Sequence, residues 1–239
     1  LRANSEHKMF NGLVTVGEHV GFVYKDSRGM NTGNIYNNNL RGAFTTSPLV
    51  PVYDANGNFN STESSDWNVN DGNPYGTMMM NRYNQSKSTS VDANVYVQIE
   101  PIKNLKFKTV FAVNYGGSDY RSYSPVYKFT PQSGNGITKV SQSDGSGISL
   151  VWTNTLTYDF NIKEHHINAL IGSETSKYDG SSSGSTGYGL TAGFNDWDHA
   201  YVKNTDQSSS DRTISGAPYN PTRGQSFFAR LGWSWKDRY

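Results

Sequence analysis

The sequence predicts an all-β fold, a segment of about six strands from a larger antiparallel, up-and-down transmembrane β-barrel with long loops at one end. Three observations carry this. Apolar and polar residues alternate with period two over several runs of about ten residues, the hallmark of strands with two different faces. The connections between these runs alternate between short and very long. No stretch approaches 18 consecutive apolar residues, so a membrane helix is excluded. A spanning strand needs only about 9 to 11 residues and leaves a weak hydropathy signal.

In chain order, the first run is 13–25, where Val14, Val16, Val20, Phe22 and Tyr24 are in phase and Glu18 breaks the pattern. The clearest is 89–100, with Val91, Ala93, Val95, Val97 and Ile99 on one face and Asp92, Asn94, Tyr96, Gln98 and Glu100 on the other. Pro101-Ile102-Lys103-Asn104 ends it, because Pro donates nothing to a ladder and Asn tolerates turn geometry. The phase resumes over 105–115 with Leu105, Phe107, Thr109, Phe111, Val113 and Tyr115, opposite Lys106 and Lys108, so these two runs form a hairpin. A second hairpin joins 149–160 (Leu150, Trp152, Leu156, Tyr158, Phe160) to 166–177 (Ile167, Ala169, Ile171) through the polar turn 161–164. The last run, 225–235, carries Phe227, Ala229, Leu231, Trp233 and Trp235 in phase, with Arg230 on the polar face.

The segments 26–87, 116–148 and 178–224 are far longer than the usual connection of about 4 to 6 residues. Short turns on the periplasmic side and long loops outside are the pattern of outer-membrane barrels. Phe160, Trp233 and Trp235 then fall at inner strand ends, and Tyr24, Tyr115, Trp152 and Phe227 towards outer ends, as interfacial girdles require. A soluble β-sandwich also alternates, and a soluble glycan-binding module of that kind is the competing reading; connections this long weigh against it. Six strands do not close a membrane barrel, which takes at least about eight, and an open edge in lipid leaves backbone groups unpaired. Residues 1–239 are therefore expected to form part of a barrel domain whose remaining strands lie elsewhere.

Composition narrows the function. Of 239 residues, 21 are Lys or Arg and 20 Asp or Glu, a net charge of +1 without a basic run, so nucleic acid is not an expected partner. With no Cys there is no disulfide framework, thiolate metal site or Cys nucleophile. Mean hydropathy is -0.68, and Gly, Ser and Asn supply 78 residues, so polarity comes from small uncharged side chains. Aromatics at 13% separate the chain from disordered compositions.

Several motifs occur in order: Ser47-Pro48-Leu49-Val50-Pro51-Val52-Tyr53-Asp54-Ala55-Asn56-Gly57-Asn58-Phe59, then Asn73-Pro74, then Ile99-Glu100-Pro101-Ile102-Lys103-Asn104-Leu105-Lys106-Phe107. Trp152 to Tyr158, His165 to Gly172, Ser226 to Leu231 and Lys236 to Tyr239 follow. Together they resemble the SusC/RagA family of TonB-linked outer-membrane proteins over most of 10–239. The resemblance implies a plug domain inside a barrel of about 22 strands. It further implies import of oligosaccharides or peptides, a SusD-like surface lipoprotein as partner, TonB engaged through a plug region outside this sequence, contact with outer-membrane lipid, and no enzymatic activity.

Candidate chemistry is sparse, and no catalytic, cofactor or metal residue is assigned. His165-His166 beside Glu164 point to opposite faces of a strand and cannot easily share an ion. The run from Asp66 has its Gly one place late and Thr77 where a calcium loop needs Glu. Asp196 with Asp198, or Glu63 with Asp66, would be the carboxylates of a hydrolase, but nothing else supports one. Gly180 to Gly189 reads as flexible loop, and Pro74 through Met78-Met79-Met80 as a short loop helix. The candidates for substrate or partner contact are the loop aromatics Trp67, Tyr75, Tyr120, Tyr123, Tyr127, Tyr188, Trp197 and Tyr201, whose flat faces stack on sugars or peptide side chains. The alternative for each is packing of loop against loop. The lumen-facing set is Asp92, Asn94, Tyr96, Gln98, Lys106, Lys108 and Arg230.

Overall fold

A computed structural model describes residues 1–29, 39–61, 72–130 and 133–236. Strands β1 (Arg2–Met9), β2 (Val14–Arg28), β3 (Gln85–Ile102) and β4 (Leu105–Ser124) are followed by a two-stranded ribbon, β5 (Tyr127–Lys128) and β6 (Gly134–Asn135). Then come β7 (Lys139–Ile162), β8 (His165–Tyr188), β9 (Thr213–Pro218) and β10 (Thr222–Trp235). Helices α1 (Asn39–Thr45) and α2 (Pro74–Asn81) lie between β2 and β3. All long strands belong to one antiparallel eight-stranded sheet in the order β1-β2-β3-β4-β7-β8-β10, with β9 also on β8. The other sheet among the described residues is the two-stranded β5–β6 ribbon, an arrangement that does not favour the sandwich alternative.

The expected hairpins are present, and their short turns all lie at one end. Left-handed φ values at Asn11 (55°), Asn104 (69°) and Lys163 (54°) reverse the chain there, and at β10's exit Lys236 pairs with Glu164 at 3.2 Å. Segments 29–84, 125–138 and 189–212 connect the other end.

Three expectations need correction. A further strand, β1, precedes the first expected one and pairs with β2 from Arg2↔Gly21 to Met9↔Val14; its sequence, RANSEHKM, carries no apolar phase to reveal it. The strands also run well beyond their apolar runs: β7 and β8 are each 24 residues long, so the loops are correspondingly shorter. Finally, Gly180 to Tyr188 is not loop but the distal half of β8, paired with β7 through Lys139↔Tyr188. Ladder hydrogen bonds do not depend on side chains, and rings close over the glycines: a Cβ on Gly147 would lie 2.7 Å from the Tyr178 hydroxyl, and one on Gly180 2.5 Å from the Tyr219 ring. β9 and β10 are one strand with a bulge, since four steps from Pro218 to Thr222 face three from Ser181 to Tyr178.

The two faces are as the alternation requires. One exposes large apolar side chains, with Phe227 77%, Leu231 75%, Ile171 59% and Trp233 57% exposed, a surface suited to lipid rather than water. This apolar band does not follow the hydrogen-bonded rows. Phe227, at the top of the apolar run of β10, shares a row with Ser173, Asn154, Thr109, Val97 and finally Val16, near the bottom of the run of β2. The band thus climbs roughly seven residues in five strand steps, a tilt of roughly 40 to 45° from strand rise and spacing, as in a closed barrel. No described helix is long and apolar enough to cross a membrane.

Candidate functional site

The polar face of the sheet forms a hydrogen-bonded wall. Asp92, Asn94, Tyr96, Gln98, Lys106, Lys108 and Arg230 all share it by register. Its centre is Tyr96, whose hydroxyl donates to Glu6 of β1 at 2.6 Å while the Lys108 ammonium sits 4.1 Å from its ring. Gly17 makes this possible, because a Cβ there would lie 2.3 Å from the Tyr96 ring. Further along, Arg230 donates to Asn168 at 3.2 Å, and Asn168 to Asp159 at 2.5 Å. His19 and Asn4 are also hydrogen-bonded. Such a surface offers water or solute acceptors and donors of both charges, but no cluster of metal-ligating side chains occurs among the described residues.

At the long-loop end the candidate aromatics fall into two groups. Around α2, Asn73 caps the helix by accepting from the Gly76 amide at 2.8 Å, and Pro74 follows, so the expected loop helix is present. Tyr75 joins Tyr53 and Phe59 (6.3 and 6.0 Å between centroids), Phe59 meets Phe129 at 6.2 Å, and Tyr127 lies 4.8 Å from Phe129. This cluster ties segment 39–61 to the β5 region. Burial raises the Tyr53 hydroxyl pKa, and so does its hydrogen bond with Tyr75.

The second group packs on the sheet face that continues the apolar band. Tyr123, Val140, Leu190, Ala200 and Val202 form a small buried core with Trp197 against it. Trp197 also stacks on Tyr83 at 6.0 Å and on the Arg121 guanidinium at 3.9 Å; Arg121 lies 4.4 Å from the Tyr201 ring, and Arg82 4.4 Å from Tyr83. Loop 189–212 is thereby pinned to β4 and to the end of segment 29–84, and the Val202 amide donates to the Gln142 side chain at 2.9 Å. Burial, then the nearby Asp196 charge, raises the Tyr123 pKa. Asp196 itself is held below its ordinary value by hydrogen bonds from the His199 ring and amide. That carboxylate is committed to its loop; Asp198 stands in the same exposed stretch.

Tyr188 lies within reach of Lys139, 5.7 Å from ammonium to ring centroid. Tyr120 is 42% exposed and Tyr201 43%, so these rings keep surface for a ligand, whereas Tyr123 is buried. Trp67, with Glu63 and Asp66, lies outside the described residues. His165 stacks on Trp233 while His166 bonds Asn161, so the two imidazoles face opposite ways as expected. Arg121, the hub of the second group, is a residue sequence reasoning missed. Carrying the phase of 105–115 through Gly116-Gly117 would have placed it on the face of Tyr115.

A tilted antiparallel wall with one lipid-facing and one hydrated face, short turns at one end and packed loops at the other, is a sector of a transmembrane β-barrel. Known proteins bear this out. The TonB-dependent receptor P26 of Formosa agariphila is 26% identical over 251 aligned residues, covering 100% of this chain and 23% of the receptor. The RagAB peptide transporter has the same fold over 98% of this chain and 26% of its own, at a TM-score of 0.71 and 22% identity. The RagAB peptide importer in its open-open state gives 0.71 at 23% identity, covering 99% of this chain and 25% of its own. No protein-family model matches the chain. The resemblance to SusC/RagA-type TonB-dependent outer-membrane proteins therefore stands, and the chain spans about a quarter of the length of these relatives.

Proposed function

We propose that this chain is part of the barrel wall of a TonB-dependent importer in the bacterial outer membrane, carrying oligosaccharides or peptides with a SusD-like surface lipoprotein seated over its loops. The observation that carries the reading is the two-faced, tilted wall whose loops cluster at the end away from the short turns, superimposing on RagAB over almost the whole chain. A wall of this kind performs no covalent chemistry. Its apolar band solvates the protein in lipid, and its polar face, centred on Glu6, Tyr96 and Lys108, lines a hydrated interior. The packed loop aromatics give the lid a firm surface, and the exposed rings of Tyr75, Tyr120 and Tyr201 offer stacking contacts to solute or lid. The plug and its TonB-engaging segment belong to other parts of the protein.

The test is fractionation of the intact native protein. It is expected in the outer membrane, co-purifying in detergent with a lipoprotein, and its uptake of solute should stop when TonB is deleted. Recovery as a water-soluble protein, or TonB-independent uptake, would overturn the proposal.

A further inference from the structure

The lumen face of the wall changes character above the level of the apolar band. By register Gly116, Gly147 and Gly180 form one row across β4, β7 and β8, on the face of Lys106 and Lys108, and Gly145 stands in the next row up. Two tyrosine rings lie on this glycine strip. A Cβ on Gly147 would meet the Tyr178 hydroxyl at 2.7 Å, and Tyr219 spans from Gly180 to Gly145, its Cδ2 2.5 Å and its hydroxyl 3.3 Å from the positions their Cβ atoms would take. Contact at both ends of the side chain means that Tyr219 lies along the sheet rather than standing on it. Because both rings touch the sheet they are neighbours in one layer, with centroids 6.4 Å apart and planes 19° from parallel, and they are 37% and 42% exposed. Tyr219 reaches this place from the bulge between β9 and β10, where its amide donates to the Gly180 carbonyl at 2.8 Å; bulges re-aim side chains in this way.

The charges of these strands point the other way. Asp119 and Arg121 of β4, Asp144 of β7, and Lys177 and Asp179 of β8 all alternate onto the outer face. The lumen face beside the rings carries the Asn114 amide and the hydroxyls of Ser118, Ser149 and Ser182 instead. Lumen-facing charges stand outside the patch, with Glu174 below it on β8 and Asp92 to the side on β3. Such a surface holds no charged partner for the termini of a peptide. Nor is a backbone edge open to a peptide as an added strand, because β4, β7 and β8 are each paired on both sides. Flat rings ringed by neutral donors and acceptors suit a neutral sugar, whose C–H faces stack on tyrosine while its hydroxyls exchange hydrogen bonds with Ser and Asn. We propose that the Tyr178–Tyr219 platform binds a neutral oligosaccharide on the lumen side of the rim. The inference rests on the importer reading and narrows its solute to a saccharide.

The test is calorimetric titration of the full-length protein in detergent with neutral gluco-, manno- and galacto-tetrasaccharides, a hexuronate tetrasaccharide and a neutral tetrapeptide. A neutral sugar is expected to bind, and neither the hexuronate nor the peptide. Its affinity should fall about tenfold or more in Tyr219→Ala and in Tyr178→Ala, hold within about threefold in Tyr219→Phe, which keeps the stacking face, and stay unchanged in Lys103→Gln at the short-turn end. If the alanine variants do not fold, as judged by thermal melts, Gly116→Leu carries the same expectation: it has open space for its side chain, leaves both rings in place and obstructs the strip beside them. The proposal is overturned if no neutral sugar binds, if binding survives in folded Tyr219→Ala or in Gly116→Leu, or if the peptide or the hexuronate binds equally well. Uptake measured with and without TonB keeps the two claims apart. Sugar binding that fails in a protein whose uptake still requires TonB removes the platform and leaves the importer, whereas platform binding with TonB-independent uptake upholds the platform and removes the importer reading.

Discussion

Trp197 is the side chain on which the packing of loop 189–212 most depends, and replacing it with Ala gives a number that can be checked. Complete removal of a buried Trp costs about 3 to 5 kcal/mol, and partial burial reduces this to about 2. The Arg121 contact at 3.9 Å adds about 1 kcal/mol. Stacking on Tyr83 at 6.0 Å adds about 0.5. The loop should thus lose about 3 to 4 kcal/mol of local stability, which raises its opening equilibrium by two to three decades. Hydrogen exchange reads this directly. The amides of Val202, bonded to Gln142, and Asp206, bonded to Gly189 and Tyr188, should exchange about a hundredfold faster or more, while the paired amides of β7 and β8 near Leu156 and Ile171 stay as they were. Trp197→Phe should recover much of the protection. If exchange at Val202 and Asp206 rises less than threefold in Trp197→Ala, the loop is held by something else and the account of the outer cluster is wrong.

Other expectations concern the wall. Leu231→Arg places a charge on the lipid face and should destabilise the barrel by about 2 to 4 kcal/mol in liposome unfolding, while Arg230→Leu, one residue away on the polar face, should cost under half as much. Equal costs would refute the assignment of faces. Gly172→Val should destabilise the wall, because its Cβ would sit 2.4 Å from the end of the Phe228 ring and push that side chain aside; the double variant with Phe228→Ala should recover most of the loss. A double variant as defective as the single one would show that the ring is not the obstacle. Finally, the lowered pKa of Asp196 means its contribution to loop order is complete above the ordinary value of 3.8 and is lost only as pH falls through the lower folded value. Pepsin cleavage within 189–212 should rise across that acidic window in the native protein, relative to Asp196→Asn, which should show no such step.

The transmembrane part of the wall could be read from the sequence because lipid on one side and water on the other force a period of two. Val91 to Tyr115 show both strands, the turn and the facing of each residue. Beyond the band neither face meets lipid, one of them being partly covered by loop 189–212, so Gly, Ser and Tyr carry no phase, and the distal halves of β7 and β8 look like loop although their ladders continue. The same absence of phase hid β1. Loop packing escaped for another reason: Tyr83, Arg121 and Trp197 come from three separate segments, and nothing local in any of them announces the other two. The aromatics were visible as candidates, but whether each meets a ligand or a neighbouring loop is decided by tertiary placement.

The length of the β7–β8 hairpin has a further consequence. Residues 139–147 and their partners stand beyond the apolar run, which ends at Ile148 in the row of Tyr115, about 30 Å of strand at roughly 3.3 Å per residue. Inclined at the tilt of the band, this raises the rim roughly 20 to 25 Å above the hydrocarbon. The barrel therefore carries a parapet. Its loops stand clear of the lipid headgroups, and because β7 is paired with β4 up to Lys139 and β8 with β9 up to Thr186, the crest is a continuous braced wall rather than a free hairpin, so what arrives from solution meets it before it meets the membrane.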